Sequence, residues 1–136
     1  MRRSGTYVLV FELTEAFHGT IGVLGFQHLD SDMYAYVGSA RGGLDQRLSR
    51  HFRSQKAMRW HIDRLTVNAQ KMKAYEFQEG RISECDLGNM LVAQNAIPVL
   101  KGFGCSDCRC ETHLFSLDER CCAYIQGICD SVFENK

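Results

Sequence analysis

Two aromatic–glycine tripeptides, Gly5-Thr6-Tyr7 and Tyr36-Val37-Gly38, are each embedded in a run of β-branched and aromatic residues. Residues 6–13 (TYVLVFEL) and 34–39 (YAYVGS) therefore read as strands. Between Tyr7 and Tyr36 lie 28 residues. Within them, 19–25 (GTIGVLG) is short, apolar and glycine-punctuated, another strand or half a hairpin, and Asp30-Ser31-Asp32 marks a turn.

The remainder alternates helical and extended patterns. Arg41-Gly42-Gly43 reads as a loop. Leu44, Leu48 and Phe52 recur every fourth residue, which predicts a helix over 44–53. Arg47 and His51 share that spacing and project together from an adjacent face. Met58, Ile62 and Leu65 mark a second short helix, and 71–77 (KMKAYEF) a further strand. Ser83, with Asp86 three residues on, is the expected N-cap of a helix running to about Asn95. Pro98 and Gly102-Phe103-Gly104 then open an irregular cysteine-rich segment, 114–117 is a last strand, and the tail from Asp118 a short helix. With 136 residues and 45% apolar side chains, the chain fits one domain with a single core.

Charge is informative only by its distribution. The 16 basic and 16 acidic residues cancel. Residues 41–64 nevertheless hold seven bases (Arg41, Arg47, Arg50, Arg53, Lys56, Arg59, Arg64) against Asp45 and Asp63. Such a stretch is either a phosphate footprint or a solvated helix face. No apolar run approaches the ~20 residues of a membrane span. The run 7–11 is too short for a secretory signal. A cytoplasmic protein is expected, with its seven cysteines reduced, since an odd number does not close a disulfide framework.

Several segments form a linked series: Gly5-Thr6-Tyr7-Val8-Leu9, Tyr36-Val37-Gly38-Ser39-Ala40, Arg47-Leu48-Ser49-Arg50-His51, Trp60-His61-Ile62-Asp63 and Phe103-Gly104-Cys105-Ser106-Asp107-Cys108. In this series the chain resembles the GIY-YIG nuclease superfamily, in the prokaryotic branch catalogued as a domain of unknown function. The resemblance covers residues 4–117, leaving 118–136 as a C-terminal extension of a single domain, 1–136. It implies an α/β fold, a small, mainly antiparallel three-stranded sheet flanked by helices. It also implies that Tyr7, Tyr36, Arg47, His51 and Glu84 occupy the catalytic positions, with Glu84 holding a divalent metal. Two departures stand out. The segment between the tripeptides is longer than the compact hairpin of better-known members, and the asparagine many of them carry has no clear counterpart; Asn95, Ser106 and Asp107 are the alternatives.

The chemistry suits these residue types. Phosphodiester hydrolysis needs a deprotonated water, charge stabilisation at phosphorus and help for the leaving oxygen. Mg²⁺ or Mn²⁺ on Glu84 could polarise the phosphate while keeping most of its waters. Arg47 offers a permanent charge in a planar fork suited to phosphate oxygens. Tyr7 could take a proton from water only if the metal and Arg47 lower its phenol from the usual ~10. His51 could share the proton traffic, and Tyr36 could orient phosphate or water. Singly, each has a blander reading: the tyrosines as half-buried strand aromatics, Arg47 and His51 as an exposed helix face, Glu84 as a complement to a helix dipole.

The expected reaction is metal-dependent endonucleolytic hydrolysis of a nucleic-acid backbone, with DNA as the expected form. Arg41, Arg50, Arg53 and Lys56 are the expected backbone contacts. The rival is an inactive module of the same fold that binds nucleic acid or protein. Cys105, Cys108, Cys110 and His113 add a C-x2-C-x-C-x2-H cluster with ligand types suited to structural Zn²⁺, although the spacing is tight. Its other readings are a buried turn, or Asp107 or His113 at the edge of the nuclease site. Trp60 could stack on a base or belong to the core.

Overall fold

The computed structural model describes residues 3–53, 55–58, 60–104 and 111–133. A nine-residue strand, β1 (Gly5–Leu13), lies at the middle of the main sheet. It pairs antiparallel with β4 (Asp32–Ala40) on one side and β5 (Gln70–Gln78) on the other. Almost every residue of β1 is buried, because both faces of the sheet are covered. Period-two alternation divides the strand between two cores. Tyr7, Leu9, Phe11 and Leu13 pack with Leu44 and Leu48 of helix α1 (Leu44–His51) and Leu65 of the single-turn α2 (Asp63–Thr66). Val8 and Val10 pack with Leu87 and Leu91 of α3 (Glu84–Ala93) and with Cys121 and Ile125 of α4 (Glu119–Ile128).

Among the described residues the sheet has six strands rather than the expected three, in the order β6-β7-β4-β1-β5-β8, with every neighbouring pair antiparallel. The additions are edge strands: β6 (Ile97–Pro98) and β7 (Leu114–Leu117) beyond β4, and β8 (Ser131–Phe133) beyond β5. At two and three residues, β6 and β8 are too short to show a period, and their partners lie far away in sequence. The described residues thus form an α/β domain with a mainly antiparallel sheet flanked by four helices. Among the described residues no helix is long and apolar enough to cross a membrane.

The long segment between the tripeptides forms a separate arm. Strands β2 (Phe17–Thr20) and β3 (Phe26–Leu29) pair antiparallel, and a 3-10 turn over Gly22–Leu24 joins them. Of the two readings of 19–25, a strand or half a hairpin, the structure gives the hairpin, with Gly19 and Thr20 ending β2 and 22–24 forming its turn. Ser83 caps α3 as its spacing predicts, its hydroxyl accepting the Asp86 amide at 3.1 Å. Met58, expected on the second helix, precedes it and is 40% exposed.

Candidate active site

Both signature glycines are forced by close approach. Tyr7 on β1 stands opposite Gly38 on β4, and a β-carbon on Gly38 would come within 2.5 Å of the Tyr7 hydroxyl. The tyrosine ring therefore lies where only a glycine neighbour leaves room. A β-carbon on Gly5 would come within 2.6 Å of the Phe77 carbonyl on β5. The first glycine is a matter of sheet packing; the second decides where Tyr7 lies.

Tyr7 is buried, and its hydroxyl lies 2.9 Å from His51 Nε2. Burial pushes its pKa well above the usual phenol value; the neighbouring Tyr36 adds to this, Arg47 opposes it, and the charge of Glu84 adds further. Arg47 acts in the expected, lowering direction, but desolvation outweighs the guanidinium. His51 is also buried, which depresses its pKa to about 3, with Lys56 helping. The pair is thus a neutral phenol against a neutral imidazole. His51 Nδ1 is buried without a hydrogen-bond partner among the described residues, and leaving a buried polar atom unpaired costs free energy.

Arg47 and Glu84 come from opposite faces of the sheet and meet at Ser39. Strand β7 covers only residues 33–36 of β4, so the backbone beyond has no strand on that side among the described residues. There the Ser39 carbonyl accepts a hydrogen bond from the Arg47 guanidinium instead. The Ser39 hydroxyl donates to Glu84 Oε1 at 2.7 Å. The other carboxylate oxygen lies 3.6 Å from His113 Nδ1, and the His113 carbonyl accepts the Val37 amide at 2.9 Å. Glu84 occupies the first turn of α3, where the helix dipole favours a carboxylate, and its side chain stays 31% exposed.

A cleft of about 400 Å³ opens above the tyrosine pair. Tyr7, Tyr36, Arg47 and His51 line its floor, and Trp60, Phe103 and the arm residues Val23 and Leu24 line its walls. Tyr36 packs edge-on against Phe103 at 5.9 Å between ring centres. Glu84 lies outside this lining, one residue away through Ser39.

The family model for domain of unknown function DUF123 matches residues 6–133. The chain belongs to that family. Neither the curated proteins nor the solved structures gave a match.

Within this DUF123 domain, the expected backbone contacts fall into two groups. Arg41 and Arg53 are exposed. Arg50 and Lys56 are not a solvated face, which corrects their expected role. Arg50 forms a two-pronged ion pair with Asp63, at 2.8 and 2.9 Å, and lies 4.4 Å from the Trp60 ring. Lys56 has only 3% of its side chain exposed; its ammonium donates to the carbonyls of Arg50 and His51 and to the Thr66 hydroxyl. Burial lowers its pKa to about 8, with Asp63 opposing. The completely buried Asp63 also accepts the Trp60 amide at 2.8 Å. These charges brace the wall that carries Trp60, over which Arg47 also stacks at 4.9 Å.

Cys105, Cys108 and Cys110 lie outside the described residues. Among the described residues no cluster of three metal-ligating side chains occurs. His113 is buried, with its Nδ1 3.6 Å from the Glu84 carboxylate. Ser39 is the residue that sequence reasoning missed. The signal was its place directly after Tyr36-Val37-Gly38, next to the one glycine that Tyr7 requires.

Proposed function

We propose that this domain is a GIY-YIG-type, divalent-metal-dependent phosphodiesterase acting on nucleic acid, with DNA as its expected substrate. The observation that carries this reading is the junction at Ser39, which joins the cation Arg47 to the carboxylate Glu84 beside a cleft floored by two tyrosines and a histidine. A surface loop or solvated helix has no reason to converge in this way. The series of segments shared with the GIY-YIG superfamily supports the same reading.

Glu84 suits a hard divalent ion. It is an accessible carboxylate, and Mg²⁺ characteristically uses one or two carboxylates with waters and substrate phosphate completing its shell. When bound, the ion supplies positive charge to the phosphate and leaving oxygens. The chain's own residues do the rest. Arg47 binds the non-bridging oxygens and holds them as charge builds. Ser39 fixes both Arg47 and Glu84. The water oxygen forms the new bond to phosphorus as its proton passes to the Tyr7 oxygen. The Tyr7 proton moves to His51 Nε2. The electron pair of the breaking P–O bond stays on the leaving oxygen, which takes a proton from solvent. His51, whose burial disfavours the charged form, passes its proton on to solvent. A relay of this kind needs no stored phenolate, which the burial of Tyr7 disfavours.

The same burial is what favours the rival, an inactive module of this fold that binds nucleic acid or protein. Incubating the protein with structured DNA and RNA in Mg²⁺ or Mn²⁺, with and without chelator, separates the two. The nuclease reading expects metal-dependent strand scission that disappears in Glu84→Gln.

A further inference from the structure

The arm between the two signature strands carries a pair of histidines that the cleft does not use. His18 on β2 stands directly opposite His28 on β3, so both side chains leave the same face of the hairpin. They meet Nδ1 to Nδ1 at 3.0 Å. Their ring centres are only 4.4 Å apart, closer than two imidazoles aimed nitrogen to nitrogen across that gap would stand. The rings are therefore turned off the line between the nitrogens, and the hydrogen bond they share is bent. Both residues are exposed, His28 with 48% of its side chain accessible, so a dissolved ion can reach them.

A carboxylate decides where the hydrogen sits on one of these rings. Asp30 Oδ1 lies 2.7 Å from His28 Nε2. A carboxylate accepts, so Nε2 carries the hydrogen and a neutral His28 keeps the Nδ1 lone pair. His18 Nδ1 then donates to it. An acid on the far nitrogen is the outer-shell partner that metal-binding histidines use: it fixes the tautomer, orients the ring and raises its basicity. The spacing fits too. Bonds of roughly 2.0–2.1 Å to two nitrogens 3.0 Å apart subtend about 95° at an ion. That is close to the right angle between neighbouring ligands of tetragonal Ni²⁺ or Cu²⁺. Imidazole suits these ions and Zn²⁺, whereas Mg²⁺ and Mn²⁺ prefer oxygen.

We propose that His18 and His28 form a two-imidazole site for a late divalent transition-metal ion, which clasps the two strands of the arm. Water fills the remaining positions of the ion. On binding, His18 Nδ1 releases its hydrogen to water while Nε2 takes one up, so both Nδ1 lone pairs reach the metal. Strands β2 and β3 form a two-stranded sheet of their own, and such a hairpin is marginal in water unaided. An ion that bridges them has no equivalent site once they part, so its binding stabilises the paired arm. The histidines sit toward the arm's base, and Val23 and Leu24 at its tip line the cleft. The clasp thereby steadies one wall of that cleft. It draws nothing from Glu84 or from the nuclease reading.

The test titrates Ni²⁺, which is paramagnetic and does not oxidise thiols, into the isotope-labelled full chain in excess Mg²⁺. Amide signals of residues 17–19 and 27–29 should broaden first. His18→Ala and His28→Ala, both at exposed positions and each first shown to melt like wild type, should remove that local broadening. Asp30→Ala changes a side chain that is 88% exposed and should weaken Ni²⁺ binding by about tenfold or more. Hydrogen exchange read by mass spectrometry tests the clasp. At a hundred times its dissociation constant, Ni²⁺ should slow exchange across 17–29 by up to about a hundredfold. Broadening that appears first at Cys121, Cys122 or Cys129, or that persists at the arm in the His18→Ala/His28→Ala double variant, overturns the site. Binding at the arm with unchanged exchange overturns the clasp.

Discussion

The Tyr7 hydroxyl lies 2.9 Å from His51 Nε2, and both side chains are almost entirely buried at the floor of the cleft. Burial holds the imidazole at a pKa of about 3, against ~6.5 in an unfolded chain. As pH falls, the unfolded chain therefore takes up this proton first. The contribution is complete above about pH 6.5 and is lost as pH falls toward 3. Urea midpoints should decline across that window, with His51 accounting for on the order of 3 kcal/mol by pH 4. His51→Gln should flatten the decline; an unchanged pH profile would mean that His51 is not held neutral.

The two signature glycines should fail differently. Gly5→Ala presses a methyl group onto the Phe77 backbone carbonyl and should cost about 1–3 kcal/mol, since backbone cannot step aside cheaply. Gly38→Ala presses on the outer end of the Tyr7 ring, which can swing away. Its melting temperature should fall less, while cleavage should drop at least about a hundredfold because a misplaced reacting group is costly. Thermal melts read beside turnover rates check this. Loss of activity only in proportion to loss of fold would refute the positional role.

Asp63 is the keystone of the buried charges. Asp63→Asn leaves Arg50 and Lys56 without their counter-ion and should destabilise the protein by about 3–5 kcal/mol. Denaturant titration measures it. A loss under about 1 kcal/mol would place these charges in water.

Salt dependence distinguishes the bases that can meet phosphate from those that cannot. Arg41→Gln and Arg53→Gln remove exposed charges and should each shallow the log-affinity against log-salt slope by roughly one unit if both contact duplex backbone. Lys56→Gln should lower stability and leave the slope alone, because its ammonium is spent inside the fold. A shallower slope for Lys56→Gln would return it to the interface.

Much of this fold was legible before any coordinates. The strands through Tyr7 and Tyr36, the i, i+4 stripe of α1 and the Ser83 cap all rest on local periods and local chemistry. The edge strands β6 and β8 escaped because two or three residues carry no period and their pairing is long-range. The site divides along the same line. Arg47 and His51 share a face by helical spacing alone. Whether a neighbouring cation is solvated depends on what folds against it, and Asp63, thirteen residues after Arg50, claimed that arginine and Lys56 as well. Nothing in a basic run discloses a buried carboxylate opposite.

The account's central claim is that Tyr7, Arg47 and Glu84 work together on one phosphodiester. The most direct measurement is single-turnover cleavage of structured DNA and RNA in Mg²⁺ and Mn²⁺ by wild-type, Tyr7→Phe, Arg47→Ala and Glu84→Gln proteins, each first shown to be folded. Glu84→Gln should melt within about 1 kcal/mol of wild type, since a carboxylate in a helix's first turn contributes no more than that. The account predicts metal-dependent scission by the wild-type protein and a loss of at least about a hundredfold in each variant, with DNA binding retained by Glu84→Gln. Wild-type protein that cuts no substrate in either metal, or a Glu84→Gln protein that cuts at the wild-type rate, would contradict it.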